Sequence, residues 1–460
     1  MELVRPLGTF EHFRATLHDL GFHYNVALSA QYSSKDQALN RALVHKAVQA
    51  VLAKHAALNV TIREGKDGHP CFVRLPGVDL DEVVRFKPQA SYREDRDAIL
   101  DELLSEQNSA GFGFESSKPL WRILVVYQQI GSELDIPEDC STADIMFVWH
   151  HVIGDGHSGL FVLDDILTTL NDPLPSTYIS TSNSTLAPAL ETLLKMPPSL
   201  QSRVRRLSVS IFGDKSPTPE PRKWSGSEYQ AEPPIRTVIQ HIRVSPASLQ
   251  ALIRRCKAEN VSMTAFMQSL CGAVLFSTFQ DACRLRCATA ISLRRFMPPE
   301  NGINGKIMGM WVSAFHVDYL RQDQGGIGER YSWDAARKNK ARIAHEIAKG
   351  DTDVETGALR EIKDFKATML AKLGHERQDS FAVTNLGEVA STKHASPWRL
   401  TDIVFSQSCH VNGSAVQFCI ISTQNGDMVI SLSSQEGVVP QEDLDSIAIS
   451  LRKRLNKREF

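Results

Sequence analysis

The chain has 460 residues and a formal net charge of −2, from 51 Lys and Arg against 53 Asp and Glu, and 42% of its residues are hydrophobic. This balance excludes the strongly basic surface with which proteins bind nucleic acid or an anionic membrane, and the apolar content excludes a disordered chain, so we expect a small-molecule partner. Because a single hydrophobic core stops growing near about 250 to 300 residues, the length predicts two domains.

The first part of the chain alternates predicted strands and helices, which indicates an α/β fold. Runs of apolar and β-branched residues predict strands, and apolar residues at helical spacing predict helices. The predicted elements are a strand at Phe22 to Tyr32, a helix at Gln37 to Ala57, strands at Val60 to Arg63 and Pro70 to Leu75, a helix at Tyr92 to Gln107 and a strand at Leu120 to Gln128.

The next segment contains the candidate catalytic residues. A short apolar run, Asp144 to Trp149, has the length of a strand and ends on two histidines. Gly154 and Gly156 favour irregular backbone there, and helical spacing resumes from Leu160 to Leu170. We therefore predict that a tight loop at His150 to Gly156 joins a strand to a helix.

A Pro-, Ser- and Thr-rich stretch from Asn171 to Pro234 separates the two halves of the chain, interrupted by one predicted helix at Ala187 to Leu194. Proline favours extended backbone, so we interpret the stretch as a crossover between domains, the alternative being a long surface loop within one domain. The predicted division is an N-terminal domain at 1–185, a crossover linker at 186–235 and a C-terminal domain at 236–460.

The second half repeats the α/β pattern, which suggests a duplication, although no residue-level repeat is visible. Ser245 and Ser262 are predicted helix caps. The predicted elements are a strand at Thr237 to Val244, helices after Ser245 and at Met263 to Phe276, and strands at Arg286 to Leu293, Ser380 to Val383, Ile403 to Gln407, Ala415 to Thr423 and Met428 to Ser434.

The eight cysteines are scattered without a Cys-x-x-Cys pair, which does not indicate a disulfide framework. The first six residues lack an apolar signal-peptide core, and no stretch approaches the roughly 18 apolar residues of a membrane span. We expect a cytoplasmic protein.

The segment His150-His151-Val152-Ile153-Gly154-Asp155-Gly156 contains the pattern His-His-x-x-x-Asp-Gly. A strand end would hold an imidazole rigidly, and glycines would let backbone and substrate approach it. General-base catalysis needs that rigidity, because the nitrogen must lie within about 2.6 to 3.2 Å of the proton it removes.

This pattern resembles the signature of the acyl-CoA-dependent acyltransferase superfamily, which includes chloramphenicol acetyltransferase, plant BAHD acyltransferases and peptide-synthetase condensation domains. Further segments are similar to the fungal alcohol O-acetyltransferase branch, and they lie in both halves of the chain. These segments are Arg5 to Gly8, Leu20 to Phe22, Asn25 to Ala27, Ser292 to Phe296 and Thr384 to Gly387.

The resemblance implies a role for each motif residue. His151 is then the general base, His150 is structural, and Gly156 serves the turn. Asp155 points away from the pocket to an arginine, for which Arg294 is the first candidate and Arg295 the second. The chain lacks the Asp-Phe-Gly-Trp-Gly segment of the plant branch, and by analogy we expect Thr384 to Gly387 to occupy that place.

The resemblance also implies the fold and the reaction. The fold is two chloramphenicol-acetyltransferase-like domains, each a mixed β-sheet flanked by helices, with the active site in a channel at their interface. Acyl-CoA, by resemblance acetyl-CoA, is the co-substrate, no bound cofactor or metal is needed, and the acceptor is a small-molecule alcohol or amine, such as a fungal secondary metabolite. A monomer is expected. Thr384, Asn385 and Ser313 are candidates for the donor that stabilises the oxyanion.

Several alternatives stay open at this level. An N-acyltransferase, a condensation-type enzyme with a carrier-bound thioester, and a silent homologue that only binds acyl thioesters share the same motif. A zinc site at His151, Asp155 and His157 is disfavoured because the glycines break the helix that would align the ligands. Gly156 to Leu160 fails the serine-hydrolase nucleophile elbow, and Gly302 to Lys306 lacks the Ser or Thr of a phosphate-binding loop.

Overall fold

The computed structural model describes residues 2–114, 117–131, 136–172, 185–200, 202, 221–228, 235–298, 306–324, 331–390 and 396–457. This part of the chain contains strands in three sheets. The strands are β1 (Leu3–Pro6), β2 (Asn25–Ser34), β3 (Val60–Glu64), β4 (Pro70–Arg74), β5 (Val84–Gln89), β6 (Trp121–Gln128), β7 (Thr142–His150), β8 (Thr237–Val244), β9 (Arg284–Ser292), β10 (Val312–Leu320), β11 (Asp379–Val389), β12 (Trp398–Gln407), β13 (Ser414–Thr423) and β14 (Met428–Gln435).

Helices cover these sheets, and short 3-10 turns join several of the elements. The helices are α1 (Thr9–Asp19), α2 (Arg41–Lys54), α3 (Leu80–Val83), α4 (Arg96–Ser109), α5 (Gly156–Asn171), α6 (Leu190–Leu193), α7 (Pro246–Ala258), α8 (Met263–Thr278), α9 (Trp333–Ala348), α10 (Glu355–Ala358), α11 (Phe365–Leu370) and α12 (Gln441–Lys457). The structure is therefore of the mixed α/β class that the sequence predicts.

Two mixed sheets form the body of the molecule, with a small antiparallel sheet (β1-β4-β3) beside them. The first has the strand order β12-β2-β7-β6-β5 and the second the order β10-β9-β11-β13-β14-β8. The central strands β2, β7 and β13 are buried on both faces, because each is a nearly continuous run of apolar and small residues.

Local sequence explains where several helices begin. Ser245 accepts a hydrogen bond from the Ser248 amide at 3.3 Å, and Ser262 accepts one from the Ala265 amide at the same distance. Pro246 occupies the first position of α7, where its missing N–H costs no hydrogen bond. Both caps that the sequence predicts are therefore present.

The C-terminal half of the chain contributes one strand to the first sheet. β12 comes from the C-terminal half but pairs antiparallel with β2 at the edge of the first sheet. Helix α4 packs between the sheets and covers the edge strand β8, where the Ser105 hydroxyl oxygen accepts from the Ile239 amide at 3.0 Å. The division at 1–185, 186–235 and 236–460 stays a prediction, and much of its linker lies outside the described residues.

A charged cluster ties β12 to elements of both sheets. Asp402 on β12 accepts from Arg96 of α4 at 2.5 Å and from Arg243 of β8 at 2.8 Å. Arg96 also binds Asp144 of β7 with two nitrogens, at 2.6 and 2.7 Å. These shared carboxylates join elements from the two halves of the chain.

None of the described helices is long and apolar enough to cross a membrane alone. Helices α7 and α8 pass that test only as a pair, which is bent by 102° at the break between them. Eleven residues of α8 are buried, as expected for a helix inside the second hydrophobic core.

Candidate active site

His150 closes strand β7 and starts the turn that carries His151. The His150 side chain is fully buried, and its Nδ1 accepts a hydrogen bond from the Val152 amide at 2.9 Å. Its ring stacks on His18 with the centroids 4.0 Å apart. Burial, followed by the neighbouring histidines, keeps the pKa of His150 well below its ordinary value. His150 thus holds the turn in place as a neutral residue.

His151 lies in the 3-10 turn that follows β7 and lines a cavity of about 440 Å³. Its Nδ1 lies 3.1 Å from the carbonyl oxygen of Gly154. A carbonyl oxygen can only accept a hydrogen bond, so Nδ1 must carry the proton and Nε2 must carry the lone pair. The turn therefore fixes the tautomer in which Nε2 can act as a base.

Burial and the charge of Arg14 lower the pKa of His151 to about 3. Desolvation disfavours the imidazolium ion, and a nearby guanidinium repels it. His151 is therefore neutral in the unliganded protein across the ordinary pH range. The reference pKa of about 6.5, which a histidine has in water, does not apply here.

Asp155 lies four residues after His151 and points away from it. Its Oδ1 caps helix α5 by accepting from the Ser158 amide at 3.0 Å and lies 2.8 Å from Arg294 Nη2. Its Oδ2 accepts from the Trp311 amide at 3.3 Å. Burial opposes the charge of this carboxylate, but Arg294 outweighs burial and keeps the pKa of Asp155 below its usual value. The ion pair that the resemblance implies is thus present with Arg294, while Arg295 is exposed.

Arg294 sits in the turn after β9 and joins several groups of the site. Its Nη1 donates to the Ile307 carbonyl at 2.9 Å, and its Nη2 also donates to Ser158 Oγ at 3.0 Å. The guanidinium lies over the ring of Trp311, 4.7 Å from its centroid. Arg294 therefore connects the motif of the first half to the second half of the chain.

Two glycines of the motif, Gly154 and Gly156, and Gly159 in the helix that follows allow close packing. A Cβ on Gly154 would lie 2.7 Å from Ser158 Cβ, and one on Gly159 would lie 2.3 Å from Trp149 Cη2. At Gly156 a Cβ would meet Leu386 Cδ2 at 2.8 Å. Such distances are shorter than carbon atoms tolerate, so the chain approaches itself here only because these side chains are missing.

The candidate oxyanion donors come from the second half of the chain and line the same cavity as His151. Ser313 Oγ accepts from the Thr356 amide at 3.3 Å, which leaves its hydroxyl hydrogen free to donate elsewhere. Asn385 Nδ2 donates to Thr264 Oγ1 at 3.2 Å, and Thr384 lies beside it on β11. The structure brings Ser313, Thr384 and Asn385 to one cavity with His151.

Arg14 and His410 are among the cavity residues that sequence reasoning does not identify. Arg14 interrupts the apolar stripe of α1, in which Phe10, Phe13 and Leu17 face the cavity, and that interruption is visible in the sequence. His410 lies in a loop after β12, and no local pattern marks it. Its Nε2 accepts from Arg14 Nη1 at 3.3 Å.

No group of three or more His, Cys, Asp or Glu among the described residues is arranged to hold a metal ion. His157, the third member of the zinc set considered from sequence, lines the cavity at the start of α5. Asp155 is engaged by Arg294 and Ser158 instead. Most of the Gly302 to Lys306 loop lies outside the described residues.

The chain matches the family model described as alcohol acetyltransferase over residues 6–455. It is 28% identical to a probable alcohol acetyltransferase, crmB, of Aspergillus fumigatus, with 94% of this chain and 95% of that protein covered. It is 24% identical to a probable alcohol acetyltransferase, FCK4, of Fusarium pseudograminearum, with 97% and 93% covered.

Solved structures show the same fold at low identity. The TRI3 trichothecene 15-O-acetyltransferase of Fusarium sporotrichioides has a TM-score of 0.71 at 12% identity, with 98% of this chain and 94% of that chain covered. The first condensation domain of the calcium-dependent antibiotic synthetase has a TM-score of 0.67 at 14% identity, with 99% and 97% covered.

Proposed function

The chain belongs to the alcohol acetyltransferase family and is an acyltransferase, and on that premise we propose that it moves an acetyl group from acetyl-CoA to a hydroxyl of a small molecule, with His151 as general base. The relation to TRI3, whose name states a trichothecene substrate, supports a fungal secondary metabolite as the acceptor class.

The observation that carries this proposal is the tautomer of His151. The Gly154 carbonyl holds the Nδ1 proton at 3.1 Å, which directs the Nε2 lone pair to an acceptor hydroxyl. In the proposed step Nε2 takes the hydroxyl proton while the oxygen attacks the thioester carbonyl carbon. The C–S bond then breaks, and the imidazolium returns the proton to the CoA thiolate. No covalent intermediate on the protein is required.

The remaining site residues have supporting roles in this proposal. His150 and Asp155 hold the geometry of the turn, Gly156 permits the approach of Leu386, and Arg294 secures the second half of the chain. Ser313, Thr384 or Asn385 would donate to the oxyanion that forms on the thioester oxygen.

Two lines of support concern the setting of the reaction. All eight cysteines are free thiols, which fits a reducing compartment, and we propose the cytoplasm. The cavity draws its lining from both halves of a single chain, which fits a monomer.

The test is to incubate the purified protein with acetyl-CoA and a panel of alcohols and amines, and to follow release of the CoA thiol together with product mass. The proposal expects turnover with an alcohol and loss of about 10² to 10⁴-fold in His151→Ala. Turnover only with amines, or only with a carrier-bound acyl group, would identify an N-acyltransferase or a condensation-type enzyme instead. Acyl-CoA binding without turnover would identify a silent homologue.

A further inference from the structure

Arg14 is a cation in the apolar wall of the active-site cavity. It lies on α1 between Phe10 and Leu17, which also line the cavity, and it is half-buried. Placing a charge in such a wall is costly unless an opposite charge meets it. The position of Arg14 therefore calls for a partner.

The protein itself supplies little to pair with this guanidinium. Within the described ranges no ion pair joins Arg14 to a carboxylate, and its Nε has no hydrogen-bond partner. Its Nη1 donates to the uncharged Nε2 of His410 at 3.3 Å. The nearest acidic influence is Glu355, but that carboxylate already binds His316, with Oε2 2.9 Å from Nε2.

Arg14 also stands close to the proposed base. It contacts His410, whose ring centroid lies 3.8 Å from that of His23, and the His23 ring centroid lies 5.6 Å from that of His151. The charge of Arg14 is the second cause, after burial, of the lowered pKa of His151. Both residues line the same cavity, so one bound small molecule can contact Arg14 and His151 together.

We propose that Arg14 binds a carboxylate of the acceptor, so that the preferred acceptors are hydroxy acids whose hydroxyl lies a few bonds from the carboxylate. This inference rests on the proposed transfer to a hydroxyl at His151. A planar guanidinium is suited to a carboxylate, to which it can donate two parallel charge-assisted hydrogen bonds, and the Nη2 of Arg14 has no hydrogen-bond partner among the described residues. The CoA phosphates are less suited, because the pantetheine arm separates them from the reacting thioester.

Binding of the carboxylate would also prepare the base. A carboxylate on Arg14 offsets the positive charge that repels a proton from His151, so the pKa of His151 rises toward the range in which an imidazole is an effective base. The acceptor would thereby strengthen the base that deprotonates it.

The test compares tropate and mandelate with their methyl esters as acceptors for acetyl-CoA. In the parent protein we expect kcat/KM to be at least about tenfold higher for the acid than for its ester. Arg14→Met should lower kcat/KM for the acids by about 10 to 100-fold without lowering that for the esters, whose turnover can only gain from the stronger base. Arg14→Lys keeps the positive charge but loses the planar guanidinium, so its kcat/KM for the acids should lie between those of the parent protein and Arg14→Met. Lys366→Met removes a charge from an exposed position of α11 and should leave the acid preference intact.

Other outcomes would overturn the inference. An equal loss for acids and esters would make Arg14 an oxyanion or structural residue, and a rise in KM for acetyl-CoA alone would assign it to the CoA phosphates. If Arg14→Met lowered kcat/KM only when malonyl-CoA was the acyl donor, Arg14 would bind the acyl group instead of the acceptor. An absent acid preference in the parent protein would refute it directly.

Calorimetric titration separates this inference from the proposed function, because it needs no turnover. Tropate should bind the parent protein in the presence of CoA more tightly than its methyl ester does, and Arg14→Met should abolish that difference. If the protein transfers no acetyl group but this pattern holds, the proposed function fails and the anion site stands. If neither tropate nor mandelate binds, the anion site fails.

Discussion

Asp155 and Arg294 form an ion pair across 139 residues of sequence, with Arg294 Nη2 2.8 Å from Asp155 Oδ1. Both side chains are largely buried, at 4% and 10% exposure, so solvent screens the pair little. The carboxylate also caps α5, whose first turn carries His157 into the cavity. The pair therefore acts on the geometry of the site without contacting His151.

Removal of one partner should leave the other charge buried and unpaired. We expect Asp155→Asn and Arg294→Met each to lower the free energy of unfolding by about 3 to 5 kcal/mol, with activity falling in parallel. The double variant should lose less than the sum of the two, by about 0.5 to 3 kcal/mol. Denaturant unfolding of the four proteins measures this coupling. Additive losses, with Asp155→Asn inactive but fully stable, would make Asp155 an orienter of the base.

The two adjacent histidines should respond differently to substitution. His150→Ala removes a fully buried ring that stacks on His18, so we expect a loss of about 2 to 5 kcal/mol in stability. His151→Ala should change stability less and abolish nearly all transfer. Melting temperature and kcat, measured on both variants, decide the matter. Full stability with lost activity in His150→Ala would reverse the assignment within the pair.

The rate should show no ascending limb near neutral pH. Burial and Arg14 lower the pKa of His151 to about 3, so the base is already neutral throughout the range from about pH 5 to 8. We expect kcat/KM for a neutral acceptor to be flat over that range in the parent protein. A limb with a midpoint near about 6.5 would mean that the imidazole titrates as it does in water.

Folding stability should fall as the solution becomes acidic. Burial lowers the pKa of His18 to about 4 and, together with Arg14, that of His151 to about 3, whereas both titrate near about 6.5 in the unfolded chain. Below about pH 6.5 these two histidines therefore bind protons in the unfolded state but stay unprotonated in the folded state. Each group should remove roughly 1.4 kcal/mol per pH unit until its folded pKa is reached. Melting temperatures between about pH 7 and 4.5 test this.

His316 contributes with the opposite sign. Burial alone would lower its pKa, but hydrogen bonds to Asp379 at 2.8 Å and Glu355 at 2.9 Å raise the pKa of His316 to about 9. Its stabilisation is complete below about pH 6.5 and is lost as the pH rises through about 9. His316→Gln should therefore lower the melting temperature more at about pH 6 than at about pH 9.5. An equal loss at both values would show that its charge is not involved.

Two glycines of the motif region offer a matched comparison. In Gly159→Ala the new Cβ would lie 2.3 Å from the ring of the fully buried Trp149, which cannot move aside, so we expect a loss of about 1 to 3 kcal/mol or more. In Gly156→Ala it meets the tip of Leu386, which can rotate into the cavity. Gly156→Ala should therefore mainly raise KM. Equal destabilisation of both variants, measured by thermal unfolding, would contradict this distinction.

Local sequence was sufficient for strands and helices with clear apolar patterns. Thr237–Val244 is a strand with the predicted bounds, and the strand, tight turn and helix around His151 are present. Strand β10 was missed because its exposure alternates irregularly at the sheet edge, so no regular pattern marks it. Helix α1 was missed because Arg14 and two histidines interrupt its apolar stripe.

Long-range relationships were beyond the reach of local patterns. Nothing within Trp398–Gln407 indicates that this strand pairs with β2 in the first sheet, because such pairing depends on the packing of the whole chain. The partnership of Asp155 with Arg294 came from the resemblance to a family and not from spacing. His410 reaches the cavity from the loop that follows β12, so its position depends on the same pairing of β12 with β2.

The pairing of β12 with β2 also affects how the protein folds during synthesis. During synthesis, β2 and β7 leave the ribosome long before residues 398–407. Until β12 is made, the outer edge of β2 therefore lacks its partner strand. Bare strand edges are where nascent chains pair with wrong partners. A newly made N-terminal half is thus exposed to misassembly until most of the chain has emerged, and a chaperone that covers that edge would act within this interval.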